Sequence, residues 1–379
     1  MQPLSSTSSV DIQDEVLHRE ATLGKTRPVV SGKHPSKAGD KTGKAPPSRA
    51  WLRLTANWWR SLQCVGMSLH FLAYPRPPSP NFVRIIRSTL ADKRGCFTLH
   101  FYVPEGYTKA TNWPVVVNYH GGGFTIGNGT DDARFGRAVL EKAHAIFVSV
   151  DYRLAPEYPF PTAVDDGADA LLYIVRNAAK LRIDPKRLAT SGFSAGGNIA
   201  ITAPLRLSQF LKTDAGADVP EHRIVALATW YPITDYTLTR VERRATAIRP
   251  EECLPPGLTD LFDASYLYPP ELNLAHPYLS PSRAPSELLR EGIPDKVLFY
   301  TCEWDMLLYE GEELSRRLRE PPVSKDVYYT MIRGVAHGWD KGANPLRTPR
   351  KTGKLYADCC HHLKKAFEQA AAADTATSE

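Results

Sequence analysis

The chain lacks any apolar run long enough to cross a membrane. A spanning helix needs about 20 consecutive apolar residues, and no stretch of the 379 residues reaches that length. The nearest approach, Trp51 to Tyr74, is interrupted by Arg53, Arg60 and His70. Residues 1–50 also hold no apolar segment of the length found in secretory signals. We therefore expect a cytoplasmic protein without a transmembrane helix.

Cysteine is present but shows no disulfide pattern. The six residues are Cys64, Cys96, Cys253, Cys302, Cys359 and Cys360. Their irregular spacing differs from that of small disulfide-rich domains, so we expect reduced thiols. The run from Cys359 to His362 contains metal-binding residue types, but neighbouring helical residues point in divergent directions and rarely form one tetrahedral site. We therefore expect no bound metal.

Acidic residues are scarce between residues 21 and 91, where Asp40 is the only one. The formal net charge is +6, and a loose basic run extends from His18 to Arg60. Such a run can bind nucleic acid or an acidic membrane. Its content of Ser, Lys, Gly and Pro is typical of a solvated segment. We therefore predict a disordered basic tail over residues 1–48 and no nucleic-acid partner.

After this tail, apolar residues recur at three- and four-residue spacing, which predicts a helix over residues 51–72. The apolar stripe consists of Trp51, Leu54, Trp58, Leu62, Val65, Leu69 and Leu72. We expect the stripe to dock on the body of the protein, within an N-terminal cap region spanning residues 49–80. The alternative is peripheral membrane contact through 51–72, with Arg53 and Arg60 at the lipid headgroups.

Residues 81–379 show the alternation of strands and helices that is typical of an α/β domain. Predicted strands cover 96–103, 115–117, 145–150, 188–191, 224–230, 297–300 and 327–332. Predicted helices cover 163–179, 195–210, 308–319 and 353–372. The strands are continuous apolar runs, which suit a mostly parallel sheet with helices on both faces. We expect Pro204 to kink or shorten the second of these helices.

One segment, residues 236–292, breaks this alternation. It is rich in Pro, Arg and Leu, and it is longer than a sheet connection needs. Long insertions of this kind often form lids or binding loops. We therefore predict a helical cap that forms the roof of the substrate pocket together with the 51–72 helix.

The first candidate catalytic motif is Gly192-Phe193-Ser194-Ala195-Gly196, which fits the pattern G-x-S-x-G. It follows a predicted strand and precedes a predicted helix, the context of a nucleophile elbow. Glycines are needed beside a serine on such a tight turn because larger side chains would collide. Alone, this pentapeptide is a weak signal, since short matches arise by chance.

A second motif, His120-Gly121-Gly122-Gly123-Phe124, directly follows the predicted strand around Val115. Consecutive glycines let backbone N–H groups approach a ligand closely, as an oxyanion hole requires. No Gly-Lys-Ser/Thr follows, which excludes a phosphate-binding P-loop. The two motifs stand in the chain order of an α/β-hydrolase, and together they form a strong signal.

An acid and a histidine complete the order Ser…Asp…His. Asp305 follows the predicted strand 297–302, and His337 lies in a glycine-flanked loop after the predicted strand 327–332. Glu303 and Glu310 are rival acids in the same region. The order of the residues alone does not separate these three carboxylates.

At this point the sequence resembles the hormone-sensitive-lipase-like family of α/β-hydrolases. The matching pieces are His120–Phe124, Asp151–Glu157, Gly192–Asn198, His276–Pro281, Asp305 and His337-Gly338. They cover about residues 80–370, and Asp305 is the acid that matches. Phe193 departs from the many members with Asp before the nucleophile and resembles some fungal members. The resemblance implies a catalytic triad of Ser194, Asp305 and His337.

The resemblance also implies an oxyanion hole made by the backbone N–H groups of Gly121, Gly122 and Ala195. In the expected reaction, His337 takes the proton of Ser194, whose Oγ attacks the carbonyl of a small ester or lactone. Water then hydrolyses the acyl-enzyme. No metal or organic cofactor is required.

Three alternatives remain open. An internal nucleophile in place of water would give acyl transfer or cyclisation in a natural-product pathway. The same triad also cleaves amides, including formamides. A non-catalytic small-molecule receptor is the third alternative, since the plant gibberellin receptor resembles this family but lacks the triad histidine. The presence of His337 disfavours that reading.

Overall fold

The apolar runs form one eight-stranded sheet in the computed structural model, which describes residues 47–110 and 112–376. The strands are β1 (Phe82–Arg87), β2 (Cys96–Tyr102), β3 (Trp113–Tyr119), β4 (Ile146–Asp151), β5 (Ile183–Phe193), β6 (Ile224–Trp230), β7 (Lys296–Trp304) and β8 (Asp326–Ala336). Their order across the sheet is β1-β2-β4-β3-β5-β6-β7-β8. β2 is antiparallel to both of its neighbours, and all other neighbouring pairs are parallel. The predicted α/β fold with a mostly parallel sheet is confirmed.

From β3 onward, helices lie between successive strands in the sequence, whereas the first helix precedes the strands and the last helix follows them. The helices are α1 (Arg49–Leu72), α2 (Ala133–Ala138), α3 (Thr162–Arg176), α4 (Ala195–Leu211), α5 (Arg240–Thr246), α6 (Pro256–Tyr266), α7 (Ser286–Gly292), α8 (Leu308–Arg319) and α9 (Thr352–Ala376). A π-helical turn, Val139–Ala143, continues α2. Short 3-10 turns are formed by Asp214–Gly216, Pro250–Glu252, Pro281–Arg283 and Trp339–Lys341. The predicted cap segment, 236–292, contains α5, α6 and α7.

Two separate apolar cores cover the two faces of the sheet. Val115 and Val117 of β3 belong to one core, and Val116 belongs to the other. This alternation follows from the pleat of a strand, which points successive side chains to opposite faces. Helices α3, α4 and α8 contribute side chains to the first core, whereas α2 and α9 contribute to the second. Both faces are therefore buried, as continuous apolar strands require.

Helix α4 runs unbroken through Pro204, so the expectation that this proline shortens the helix is wrong. Proline has no N–H, and in a helix this leaves the carbonyl four residues earlier without its usual donor. Here that carbonyl belongs to Ala200, and the Thr190 hydroxyl of β5 donates to it at 3.0 Å. A hydrogen bond from the neighbouring strand thus replaces the missing helical one.

Strand β5 is longer than predicted, because its first half is polar. The prediction covered residues 188–191, whereas the strand begins at Ile183. Arg187 Nε lies 2.7 Å from Asp184 Oδ2 in this first half, and the register shifts between Leu188 and Ala189. Hydrophobic patterning detects only the buried part of such a strand. Strand β1 was not predicted for the same reason, because most of its residues are exposed.

Helix α1 forms where predicted, but its apolar stripe does not dock on the body of the protein. All seven stripe residues are exposed, with Leu54 at 63% and Trp58 at 60%. The opposite face is the buried one, and it carries Leu52, Ala56 and Met67. The expectation of a docked stripe is therefore wrong, because a second, shorter apolar face makes the intramolecular contact.

Polar side chains fasten this second face to the body. Arg60 donates to the backbone carbonyls of Thr125 and Ala155 at 2.9 and 2.8 Å and forms a salt bridge with Glu157. Gln63 donates to Asp131 at 2.8 Å.

In the part of the chain that the structure describes, no helix combines the length and apolar character needed to cross a bilayer. Residues 1–46 of the predicted disordered tail lie outside the described residues.

Candidate active site

The candidate site lies at the carboxyl ends of the parallel strands, where open α/β sheets bind their ligands. The glycine loop follows β3, Ser194 follows β5, Asp305 follows β7 and His337 follows β8. β3 and β5 are neighbours at the centre of the sheet, and the chain crosses to the β4 side from one and to the β6 side from the other. The loops that follow β3 and β5 therefore turn away from each other, and a crevice lies between them.

Ser194 occupies a strained turn between β5 and α4, with φ of 55°. Positive φ is unfavourable for a residue with a side chain, and it persists only where the surroundings enforce it. The flanking glycines are required by close backbone contacts. A Cβ on Gly192 would lie 2.1 Å from the Gly196 carbonyl oxygen, and one on Gly196 would lie 1.9 Å from that of Tyr119. This packing holds the hydroxyl of Ser194 above the sheet.

The three residues predicted as a triad lie in one hydrogen-bonded chain. Ser194 Oγ is 2.8 Å from His337 Nε2, and His337 Nδ1 is 2.6 Å from Asp305 Oδ2. Since a carboxylate only accepts, Nδ1 carries the proton and Nε2 is left to accept from the serine. Asp305 is 2% exposed, and its other oxygen accepts from the Leu307 N–H at 3.0 Å. The geometry permits transfer of the serine proton to the imidazole.

The rival acids have other partners. Glu303 accepts a hydrogen bond from the Gly334 N–H at 2.7 Å. Glu310 is buried and pairs with Arg243 at 2.7 Å. Of the three carboxylates considered from the sequence, Asp305 alone is hydrogen-bonded to His337 in the described structure.

The glycine loop lies directly beside the serine. A Cβ on Gly121 would lie 3.1 Å from the Phe193 carbonyl oxygen and 3.5 Å from Ser194 Cβ. Gly122 has φ of 111° and Gly123 has φ of 58°, conformations that favour glycine. Within the described chain, no backbone carbonyl accepts from the N–H groups of the predicted oxyanion hole, those of Gly121, Gly122 and Ala195. These donors are thus available to a ligand.

The segment after β4 supports this loop. The Tyr152 hydroxyl donates to the His120 carbonyl at 2.8 Å, and the two rings stack with centroids 4.2 Å apart. His120 Nδ1 lies 2.8 Å from the Gly121 carbonyl oxygen. Burial lowers the pKa of His120, although Asp151 opposes this shift. A neutral, fully buried imidazole therefore braces the glycine loop.

A buried polar cluster behind the serine and histidine was not predicted. Lys341 Nζ lies 2.7 Å from Asp132 Oδ1 and 2.9 Å from Asp340 Oδ2, and 4.0 Å from the centre of the Phe193 ring. Burial acts to lower the pKa of Lys341, but Asp132 and Asp340 outweigh it and raise that pKa. The lysine is therefore charged, and its cation faces the ring beside the nucleophile.

Tyr231 belongs to the same cluster, and its ring packs against His337. A signal for it existed in the sequence, because Tyr231 directly follows the apolar run 224–230 and so had to lie at the ligand-binding edge of the sheet. Asp340 and Lys341 follow His337 by three and four residues. No local motif marks any of these three residues, so motif matching missed them.

A small cavity opens above Ser194, with about 340 Å³ of empty space. Side chains from the insertion form part of its wall, namely Tyr236, Arg240, Leu254 and Phe262. Met306 and Leu307 contribute from the loop after β7, and none of the lining residues comes from α1. Arg240 is held by Asp263 at 2.6 Å. The cavity is thus mostly apolar, with one neutralised cation.

No group of three or more His, Cys, Asp or Glu side chains with the arrangement of a metal site occurs among the described residues. All six cysteines are free thiols.

Comparison with known proteins defines the class. A family model described as alpha/beta hydrolase fold matches residues 116–341, which is more than half of the chain. The matched region contains the glycine loop, Ser194, Asp305 and His337. The chain belongs to this family.

Several relatives are named as esterases. Carboxylesterase NlhH of Mycobacterium tuberculosis is 37% identical over 232 residues, covering 60% of this chain and 67% of the relative. An arylesterase of Saccharolobus solfataricus is 31% identical over 218 residues, covering 57% of this chain and 65% of the relative. The identity therefore extends over about two thirds of the length of these relatives.

Solved structures with the same fold include two esterases. An esterase of the archaeon Pyrobaculum calidifontis superimposes with a TM-score of 0.66 and 25% identity, covering 83% of this chain and 93% of its own. The thermostable carboxylesterase EstE1, cloned from a metagenomic library, gives a TM-score of 0.62 and 27% identity, covering 85% and 98%.

Proposed function

We propose that this protein hydrolyses carboxylic esters, including lactones, through an acyl-enzyme formed on Ser194. The observation that carries the proposal is the hydrogen-bonded chain from Ser194 Oγ through His337 to Asp305. In this reaction His337 takes the serine proton as Oγ bonds to the substrate carbonyl carbon. His337 then returns the proton to the departing alkoxide, and water repeats the cycle on the acyl-enzyme.

The glycine loop supplies the second requirement of this chemistry. Negative charge develops on the carbonyl oxygen as the tetrahedral intermediate forms, and fixed N–H donors stabilise it. We assign this role to the N–H groups of Gly121, Gly122 and Ala195, because Gly121 packs against Ser194 and Ala195 directly follows it. Each donor of this kind typically contributes about 3 kcal/mol to lowering the barrier. Ala195 also begins α4, whose N-terminal dipole favours negative charge.

The decisive experiment uses Ser194→Ala and a fluorophosphonate probe that labels activated serines. We expect the wild-type protein to hydrolyse p-nitrophenyl acetate and to be labelled at Ser194, and the variant to do neither. Ser61→Ala is a matched control, since Ser61 lies on the exposed part of α1. Wild-type turnover by the Ser194 variant would overturn the proposal, as would a failure of the folded wild-type protein to react with the probe.

The cavity supports a small acyl group. Phe262 and Leu254, two bulky side chains of the insertion, line the cavity together with Ser194, and they limit the space available to an acyl chain. We propose esters of short carboxylic acids as the substrate class. A series of p-nitrophenyl esters tests this, and we expect kcat/KM to fall as the acyl chain grows beyond about four to six carbons.

The receptor alternative is disfavoured by the same geometry, because His337 is in place and accepts from Ser194. Acyl transfer, cyclisation and amide cleavage use the same first step, so they differ from ester hydrolysis in substrate or second nucleophile. Product analysis by mass spectrometry separates them. Incorporation of oxygen from labelled water into the acid product is expected for hydrolysis and not for transfer.

Two finer assignments are also proposals. We place the chain in the hormone-sensitive-lipase-like branch, as a fungal-type member. A relative in Schizosaccharomyces pombe, an alpha/beta hydrolase superfamily protein, is 30% identical over 224 residues and supports this placement. We further propose a reducing compartment such as the cytoplasm, since all six cysteines are free thiols and the adjacent Cys359 and Cys360 are both buried.

A further inference from the structure

The outward face of α1 is apolar along its whole length. Its exposed residues, with the exposed fraction of each, are Trp51 (59%), Leu54 (63%), Trp58 (60%), Leu62 (47%), Val65 (60%), Leu69 (39%) and Leu72 (51%). Tyr74, just beyond the helix, is 85% exposed. A helix of 24 residues is about 36 Å long. A continuous apolar strip of that length on a protein surface marks a docking site.

The stretch of chain that carries this strip contains charge of one sign only. Between Asp40 and Asp92 the sequence contains eight basic residues and no acidic one. Arg53 and Arg76 are exposed on α1 and directly after it. The basic run that begins at His18 leads along the chain into the start of α1. A surface that binds here must therefore be apolar inside and negatively charged at its rim.

We propose that the outward face of α1 is a docking surface for an anionic lipid bilayer. The strip would enter the boundary between headgroups and acyl chains, with the helix axis parallel to the membrane plane. Trp51, Trp58 and Tyr74 are the residue types that favour this boundary. Arg53 and Arg76 would meet anionic headgroups, whose negative surface potential attracts basic residues.

Two other occupants fit less well. The chain before Pro47 contains only scattered aliphatic residues and no aromatic one, so it offers little apolar surface with which to cover a strip of this length. A second copy of the protein would supply apolar surface, but it would bring two basic helices together without an acidic partner from the same region. The lipid surface satisfies both the apolar and the electrostatic requirement.

Docking there would place the candidate active site beside the membrane. Arg49 of α1 donates to the carbonyls of Ala264 and Ser265 on α6, at 3.3 and 3.2 Å. Arg60 donates to Thr125 in the loop that contains the three glycines. α1 thus connects the membrane-facing surface to two walls of the site, a suitable arrangement for esters that partition into bilayers.

The test is binding of the full-length protein to vesicles. Neutral phosphatidylcholine vesicles are compared with vesicles containing roughly one third phosphatidylserine, by co-sedimentation and by quenching of tryptophan fluorescence with brominated lipid. The test variant is Leu54→Ser/Trp58→Ser, and the matched control is Val241→Ser/Ile248→Ser, another pair of exposed apolar residues. Because all four side chains are exposed, folding is expected to survive, and thermal denaturation checks this.

We expect the wild type and the control to bind anionic vesicles, and the test variant to bind at least about tenfold more weakly. Arg53→Gln/Arg76→Gln should weaken binding and reduce its salt dependence. Equal binding of the wild type and the test variant would overturn the proposal. The proposal would also be overturned if the wild type bound no vesicles but formed a dimer, and the test variant were monomeric. The readout is binding, so its failure leaves the proposed hydrolysis untouched.

Discussion

The ring of Tyr231 meets the imidazole of His337 edge to face, with ring centroids 4.9 Å apart. Tyr231 adopts φ of 39°, an unfavourable conformation for a residue with a side chain. Its hydroxyl donates to Asp340 Oδ1 at 2.5 Å. Burial and the neighbouring Asp340 raise the pKa of the phenol, so it remains a donor. The surrounding structure enforces this unfavourable backbone conformation, and it fixes the Tyr231 ring against one side of the His337 imidazole.

Tyr231→Phe keeps the ring but removes the hydrogen bond to Asp340. We expect the free energy of unfolding to fall by about 1.5–3 kcal/mol, the usual contribution of a hydrogen bond to a charged group. We also expect kcat to fall by about tenfold with KM little changed, because the imidazole is held less firmly. Steady-state kinetics with a short-chain ester and urea denaturation measure both effects.

Tyr300→Phe serves as the control for this experiment. Tyr300 is also buried, and its hydroxyl donates to another carboxylate, that of Asp358, at 3.3 Å. It stacks on Trp230 rather than on the histidine. An equal loss of kcat in both variants would show that Tyr231 acts only through general stability.

Asp305→Asn tests the identity of the acid. An amide in this position can donate to Nδ1, which would place the imidazole proton on Nε2 and leave no acceptor for Ser194 Oγ. We expect kcat to fall by about 10⁴-fold with the fold intact. Glu303→Gln, two residues earlier, changes an acid that contacts Gly334 and not His337. Its kcat should stay within about threefold of the wild type; a reversed pattern would exclude Asp305 as the orienting acid.

The residues that meet at the candidate site were easier to predict from the sequence than their surroundings. Ser194 and the glycine loop belong to motifs whose backbone requirements are visible in the residues themselves. The acid was harder, because three carboxylates lie near one another in the chain. Their separation depends on which side chain reaches His337, and that distance follows from the packing of β7 against β8 rather than from any local pattern.

Helix α1 shows what periodicity leaves undetermined. The stripe from Trp51 to Leu72 predicted the helix correctly, but not which face is buried. The contact face is formed by small or isolated apolar residues such as Ala56 and by the polar anchors Arg60 and Gln63. A hydrophobic stripe reports that some apolar surface must be covered, without specifying whether protein or lipid covers it.

Gly123→Ala tests the contact between the glycine loop and the insertion. Gly123 has φ of 58°, and a Cβ would lie 2.2 Å from the ring of Phe262 on α6. We expect a loss of about 1–3 kcal/mol in the free energy of unfolding and a fall in kcat, since the loop must shift. Thermal denaturation and ester turnover provide the measurements.

Two further variants separate the causes of that effect. Gly257→Ala lies on the same helix as Phe262 with no atom within 4 Å of the added Cβ, so it should be neutral or slightly stabilising. Gly123→Ala/Phe262→Ala removes the collision but keeps the positive φ. We expect the double variant to lose less unfolding free energy than the sum of the losses in Gly123→Ala and Phe262→Ala. A loss equal to that sum would mean that the two residues do not interact.

Arg243 and Glu310 form a buried ion pair that fastens α5 of the insertion to α8. Both side chains are about 1% exposed, and Arg243 Nε lies 2.7 Å from Glu310 Oε2. Removing one partner leaves an unpaired buried charge, so Arg243→Met should cost about 3–5 kcal/mol. Arg243→Met/Glu310→Leu should recover a large part of this loss in urea denaturation. A double variant as unstable as the single one would contradict this account.

His70 links α1 to the body in a manner that depends on pH. Its Nδ1 lies 3.0 Å from the Gly342 carbonyl oxygen, and its Nε2 accepts from Arg134 Nε at 2.9 Å. An imidazole that accepts from a guanidinium must be neutral, and burial lowers the pKa of His70 to about 4 while Gly342 opposes the shift. Because the unfolded pKa is about 6.5, this stabilisation is complete above that pH and is lost as the pH falls towards 4.

His70→Gln provides the measurement of this link. A glutamine amide offers one donor and one acceptor and does not titrate in this range. We expect the urea midpoint of the wild type to fall more than that of the variant between about pH 7.5 and pH 4.5, since only the wild-type protein takes up a proton at this position on unfolding. Equal falls in the two proteins would show that His70 has the same pKa when folded and unfolded. A larger fall in the variant would contradict the sign of the shift.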